Sequence, residues 1–132
     1  MKSLPALAGA ALVLMMLIEP AAAQTGEVAR GERMFRACAP CHSLEADRNM
    51  TGPSLGDLWN RKAGGLASFT RYSSALNASG VTWDDTTLDA WLADPQHFIV
   101  GNTMTFPGIK DGRQRASWRF SRTRRGPAAR PP

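Results

Sequence analysis

An unbroken apolar stretch, Leu4 to Ile18, follows Lys2 near the start of the chain and runs towards Ala21-Ala22-Ala23. A membrane span needs about 20 apolar residues. This stretch is shorter and ends on the small residues an exporting peptidase reads, so residues 1–23 are expected to be a signal peptide cleaved after Ala23 rather than a retained anchor. The pattern then turns helical. Across 26–42, Val28, Gly31, Phe35 and Cys38 recur at helical spacing and share one face. Residues 51–83 are rich in Gly, Ser and Asn, with scattered apolar points at Leu55, Leu58, Trp59, Leu66, Phe69, Tyr72 and Trp83. They predict loops with one or two short helices. Asp84-Asp85-Thr86-Thr87 supplies the acids and hydroxyls of a helix start, Leu88, Trp91 and Leu92 share a face, and Pro95 is expected to close that helix. Strand-like alternation is scarce, and the body is predicted to be all-α.

At 132 residues, 43% apolar and 20% charged, the chain has room for one small domain and not for a large multi-domain enzyme. A body of this size needs a staple or a cofactor to complete its core. The net charge of +5 invites a nucleic-acid or membrane reading, but its placement removes the invitation. Arg113, Arg115, Arg119, Arg122, Arg124, Arg125 and Arg130 all follow Gly112, whereas all 11 acids lie before it. The body, residues 24–112, is slightly acidic, and the basic excess belongs to a tail, residues 113–132.

Cys38-Ala39-Pro40-Cys41-His42 carries the chemistry. A redox dithiol of the thioredoxin kind belongs after a strand at a helix start and does not use the adjoining His. Here the motif ends a helical stretch. Structural zinc wants four N or S ligands, and beyond this triplet only His97 remains. Covalent haem attachment uses all three residues: two thiols form thioethers to the vinyl groups, and the following imidazole reaches the iron. A haem-free dithiol or disulfide stays open as the alternative. For the second axial ligand, Met34 lies a turn from the attachment site and Met50 only a few residues after His42. Met104 lies in Gly101-Asn102-Thr103-Met104-Thr105-Phe106-Pro107, a loop long enough to wrap the other haem face. A single Met is ordinarily gap-filling core, but the Gly and Pro flanks favour Met104 as the ligand, with His97 as runner-up. Met/His ligation favours reduced iron and leaves no open site for substrate or oxygen.

From about Gly26 to Asp111 the chain resembles class I c-type cytochromes, most closely the bacterial cytochrome c2 and mitochondrial cytochrome c branch. Thr51-Gly52-Pro53-Ser54-Leu55 resembles the family's TGPNL loop, and the resemblance implies that the Pro53 carbonyl orients His42. Asn60-Arg61-Lys62-Ala63-Gly64 resembles its GRKxG turn, which implies that Arg61 pairs with a haem propionate. Tyr72 and Trp83 stand at the aromatic positions that bond the propionates, and Trp91 at the one packed near the iron's Met side. Met104 stands at the axial Met, Phe106 at the aromatic shielding the haem edge, and Gly31 and Phe35 where the first and last helices cross. The resemblance implies a small all-α cytochrome c fold of helices and loops wrapped around one covalent haem c. Haem is a large apolar disc with two carboxylates, and aromatic walls plus a few donors are what such a disc requires.

Three departures stand out. Leu76 replaces a position often Asn near the buried propionate, and the family's ring of lysines is missing, since the body holds only Lys62 and Lys110. The third is the tail. Arg113 to Ala116 resembles the start of the family's closing helix, but Arg119 and Arg122 then occupy positions that should be apolar, and burying them unpaired is costly. The family's C-terminal helix is therefore expected to be disrupted. A shifted reading frame is favoured over a functional basic arm. Reading from the third base of the Ser117 codon turns Trp118 into Leu, Met or Val and makes the next positions largely apolar.

These residues predict a periplasmic, monomeric electron carrier with redox proteins as donor and acceptor. It has no nucleic-acid partner, no enzymatic role, and no membrane contact except through a redox complex or an uncleaved signal. The alternative from another class is a haem enzyme or gas sensor with an open axial site.

Overall fold

The computed structural model describes residues 29–118; the expected signal peptide and the tail beyond Trp118 lie outside the described residues. The chain is helical over 29–35 (α1) and then winds through consecutive turns. The Cys38 and Ala39 amides donate to the Phe35 carbonyl at 2.8 and 2.9 Å, and the Cys41 and His42 amides both donate to the Cys38 carbonyl at 3.0 Å. Cys38, Cys41 and His42 are thus presented from one tight coil at the end of α1.

Loops dominate the middle of the chain, as expected. The short α2 (Ser74–Ala78) starts where the Ser73 hydroxyl accepts from the Leu76 amide. A lone antiparallel bridge joins Lys62 to Thr82. The longest helix among the described residues, α3 (Asp85–Ala93), starts at a reciprocal cap. Asp84 Oδ1 accepts from the Thr87 amide at 2.8 Å, and Thr87 Oγ1 accepts from the Asp84 amide at 2.9 Å. Leu88, Trp91 and Leu92 form its buried face. Pro95 does end α3, but it also opens a further helix, α4 (Pro95–Phe98), capped by Asp94. Proline has no amide hydrogen to leave unsatisfied, and its ring presets the helical φ.

The core gathers Leu58, Ala63, Trp83, Leu88, Trp91, Leu92, Ile99 and Trp118. Its closing piece is α5 (Gly112–Ala116), which packs on α3. Arg115 fastens the two helices: its Nε donates to Asp89 Oδ1 at 2.9 Å, and its Nη1 donates to the Ile109 and Lys110 carbonyls at 2.7 and 3.0 Å. Docking extends further than the arginine pattern predicts. Ser117 and Trp118 are 1% and 4% exposed, and the Trp118 ring meets Phe35 edge-on at 6.1 Å. The indole offers α1 a large apolar partner, while Arg119 and Arg122 lie beyond the described residues. The all-α reading holds, with Trp118, the last described residue, meeting Phe35 of α1.

Candidate cofactor-binding cavity

A cavity of about 330 Å³ opens between the turn after α1, the 51–58 loop, α3 and the Met104 loop. Cys38, Cys41, His42, Pro53, Arg61, Tyr72, Trp83, Trp91 and Met104, all singled out from the sequence, line this one space, as does Phe106.

His42 is half-buried, and its Nδ1 stands 2.7 Å from the Pro53 carbonyl oxygen. A carbonyl only accepts, so Nδ1 carries the hydrogen and Nε2 keeps its lone pair. Burial pulls the imidazole below its ordinary value of 6.5, against the opposing pull of the Pro53 bond, and so favours the neutral ring that can ligate a metal. Gly52 is packed so closely on this ring that a methyl group there would overlap it. Two backbone bonds hold the loop in place, Gly52 N–H to the Cys41 carbonyl and Leu55 N–H to the Ser43 carbonyl, both 2.8 Å. The fully buried Ser54 completes the anchor, donating from Oγ to the Glu45 carbonyl and accepting from the Gly56 amide.

The two thiols differ. Cys41 is exposed; Cys38 is half-buried, and burial, followed by the proximity of Cys41, pushes its thiol up to about 11. A catalytic dithiol needs the opposite shift, towards thiolate at neutral pH.

Met104 comes from a different loop, half-buried against the core. Its amide donates to Asn102 Oδ1 at 2.9 Å, and its carbonyl accepts from Gln96 Nε2 at 2.6 Å. The other candidates lie elsewhere. Met34 Sδ accepts from the Ser117 hydroxyl, Met50 is exposed beside an open groove, and the His97 ring is 87% exposed and paired with Asp94. Among the described residues, Met104 is the methionine on the cavity wall.

Aromatic rings supply much of the wall. Trp83 and Trp91 lie 5.5 Å apart with planes tilted by 58°, and Phe69 meets Tyr72 edge-on at 4.8 Å. At the Arg61–Tyr72 corner, burial lowers the guanidinium and raises the phenol from their usual values, and each group partly offsets the other's shift. Arg61 also makes two bonds the sequence did not predict, Nη2 to the Ser54 carbonyl at 2.7 Å and Nη1 to the Gly56 carbonyl at 3.0 Å. These fix its position and leave other N–H donors for an anion. Leu76 lies on the wall and keeps its part of the cavity apolar. Sequence reasoning missed Asn102 and Gln96, because only the fold shows that they hold the Met104 backbone.

An apolar, aromatic-walled slot fits a haem: it has two thiols and an imidazole lone pair at one end of its lining sequence, a thioether from another loop, and Arg61 and Tyr72 to receive carboxylates. Known proteins give the same picture. Cytochrome c2 iso-2 of Magnetospirillum fulvum is 49% identical over 77 residues, 58% of this chain and 79% of that protein. Cytochrome c of Chlamydomonas reinhardtii is 41% identical over 98 residues, 73% of this chain and 87% of that protein. Among solved structures, cytochrome cH from Methylobacterium extorquens superposes with a TM-score of 0.68 at 38% identity, over 74% of this chain and 98% of that one. No family model matches the chain.

Proposed function

The chain belongs to the class I c-type cytochromes, and from that premise we propose that it carries single electrons on one covalent haem c ligated by His42 and Met104. Cys38 and Cys41 tether the macrocycle through thioethers. The observation that carries the reading is His42 locked by its Nδ1–H bond to Pro53, with Met104 the methionine sharing its cavity. When bound, haem supplies an iron that exchanges one electron, and sulfur ligation favours its reduced state. Pro53 holds the imidazole in the tautomer that offers Nε2. Trp83 and Trp91 exclude water from the cavity, and Arg61, Tyr72 and Trp83 offer donors to the propionates. With His42 and Met104 both holding the iron, no open position would remain for a substrate, and the reading is of an electron carrier rather than an enzyme.

No helix among the described residues is long and apolar enough to cross a membrane. The reading places the protein in the periplasm as a monomer that exchanges electrons with redox proteins, after removal of residues 1–23. It assigns the sequence after Ser117 to a shifted reading frame; position 118 is apolar in either frame and is buried. An intact mass of the secreted protein checks both statements, and a mass matching the tail as written ends the second.

The central test is the spectrum of the native protein and of Met104→Leu. The ferric protein is expected to show the weak near-red band of sulfur ligation, and Met104→Leu to lose it together with a drop in reduction potential. A band that survives the substitution overturns the ligand assignment. A high-spin ferric spectrum of the native protein indicates an open axial site instead. A pyridine haemochrome assay that finds no bound tetrapyrrole overturns the whole reading.

A further inference from the structure

Residues 102–111 form no helix or strand, and among the described residues no backbone–backbone hydrogen bond is made from 103 through 108. The Met104 backbone is held instead by two side chains. Asn102 Oδ1 takes its amide hydrogen at 2.9 Å, and Gln96 Nε2 donates to its carbonyl at 2.6 Å. Asn102 is 9% exposed, and its Nδ2 donates to the Pro95 carbonyl at 2.8 Å and to the Ile99 carbonyl at 2.9 Å. Both carbonyls can only accept, so the amide group has one orientation in which every bond is made. This one carboxamide ties Met104 to the first residue of α4 and to the residue that caps its end, while Gln96 ties it to the middle.

We infer that Asn102 and Gln96 are positioning residues that hold the Met104 thioether on the iron. The inference rests on the reading of Met104 as axial ligand. A thioether is a neutral, weak ligand on an unbranched side chain with three rotatable bonds. Ligation must offset the entropy of ordering that side chain and an unpaired loop, and a backbone fixed beforehand removes much of this cost. Removing the Asn102 carboxamide frees the loop and takes a donor from two carbonyls at a buried site. The exposed Gln96 contributes one bond and a smaller effect.

The test follows the near-red band of the full-length ferric holoprotein as pH rises, beside haem absorbance and the far-UV helix signal. In Asn102→Ala the midpoint for loss of the band is expected to fall by about one pH unit, a tenfold larger Met-off population, while haem absorbance and helix signal at neutral pH persist. Gln96→Ala is expected to move it in the same direction by less. In urea, the band of Asn102→Ala is expected to disappear before the helix signal by a wider margin than in the native protein, which a general loss of stability does not produce. A folded Asn102→Ala with an unmoved midpoint overturns the inference. If that variant does not fold, an unmoved midpoint in Gln96→Ala overturns it. A native protein with haem but without the band fails at the ligand assignment instead, and the inference falls with it.

Discussion

His42 gives its Nδ1 hydrogen to the carbonyl oxygen of Pro53 across 2.7 Å, and Gly52, the residue before that proline, lies against the same ring. One loop therefore fixes the tautomer through a hydrogen bond and the ring position through contact. Both demands fall on two adjacent residues, one that must lack a side chain and one whose carbonyl must point back.

Gly52→Ala is expected to destabilise the holoprotein by roughly 1–3 kcal/mol, the usual cost of overpacking a filled site. The added methyl meets three atoms of the His42 ring, which cannot retreat without stretching its bond to Pro53. Urea unfolding of the two holoproteins checks this, and equal midpoints would show that the ring yields freely.

In the chain as written, Trp118→Ala is expected to cost about 3–5 kcal/mol, as for other buried large aromatics. The indole is 4% exposed and reaches both the core and Phe35 of α1. Thermal unfolding is the measurement; an unchanged midpoint would mean that the closing segment contributes nothing.

Asp94 is held below the ordinary carboxylate value of 3.8, first by its bond to His97 and then by Lys110. A lowered folded pKa contributes stability above the unfolded value that is lost as pH falls through the folded one. Asp94→Asn keeps the cap on the His97 amide, since Asn caps as well as Asp, and removes only the charge. Its thermal midpoint is expected to lie slightly below the native one near neutral pH, and the gap to close below pH 3.8. A gap constant with pH would contradict the assignment.

The exposed residues of the cavity lining are Ala37, Cys41, Thr51, Arg71, Thr103 and Thr105. The one charge among them, Arg71, is turned onto the Met50 carbonyl and lies 5.1 Å from the centre of the Phe69 ring. Electron exchange with small anionic and cationic complexes is expected to vary weakly with ionic strength, and Thr103→Lys to make the anionic reagent's rate fall with added salt. A steep salt dependence of the native protein would reveal a charged docking face.

Some of this was legible in the chain because it is local. The Cys38 to His42 spacing fits one coil of backbone, the Asp84 and Thr87 cap lies within a single helical turn, and Leu88, Trp91 and Leu92 follow the helical period. Met104 and the aromatic positions were legible through their order along a family pattern. Arg61 lines the cavity, but its bonds to the Ser54 and Gly56 carbonyls depend on how the 54–61 loop folds back, which periodicity does not encode.

The sequence by itself determined which groups can attach and ligate a haem, because thiol, imidazole and thioether chemistry resides in single side chains and short spacings. Tertiary structure alone decided that Gly52 abuts the His42 ring, that Asn102 and Gln96 hold Met104, and that Trp118 returns to Phe35. Each of those depends on a backbone atom or ring brought close by folding, and hydrogen bonds and packing act only at contact distance.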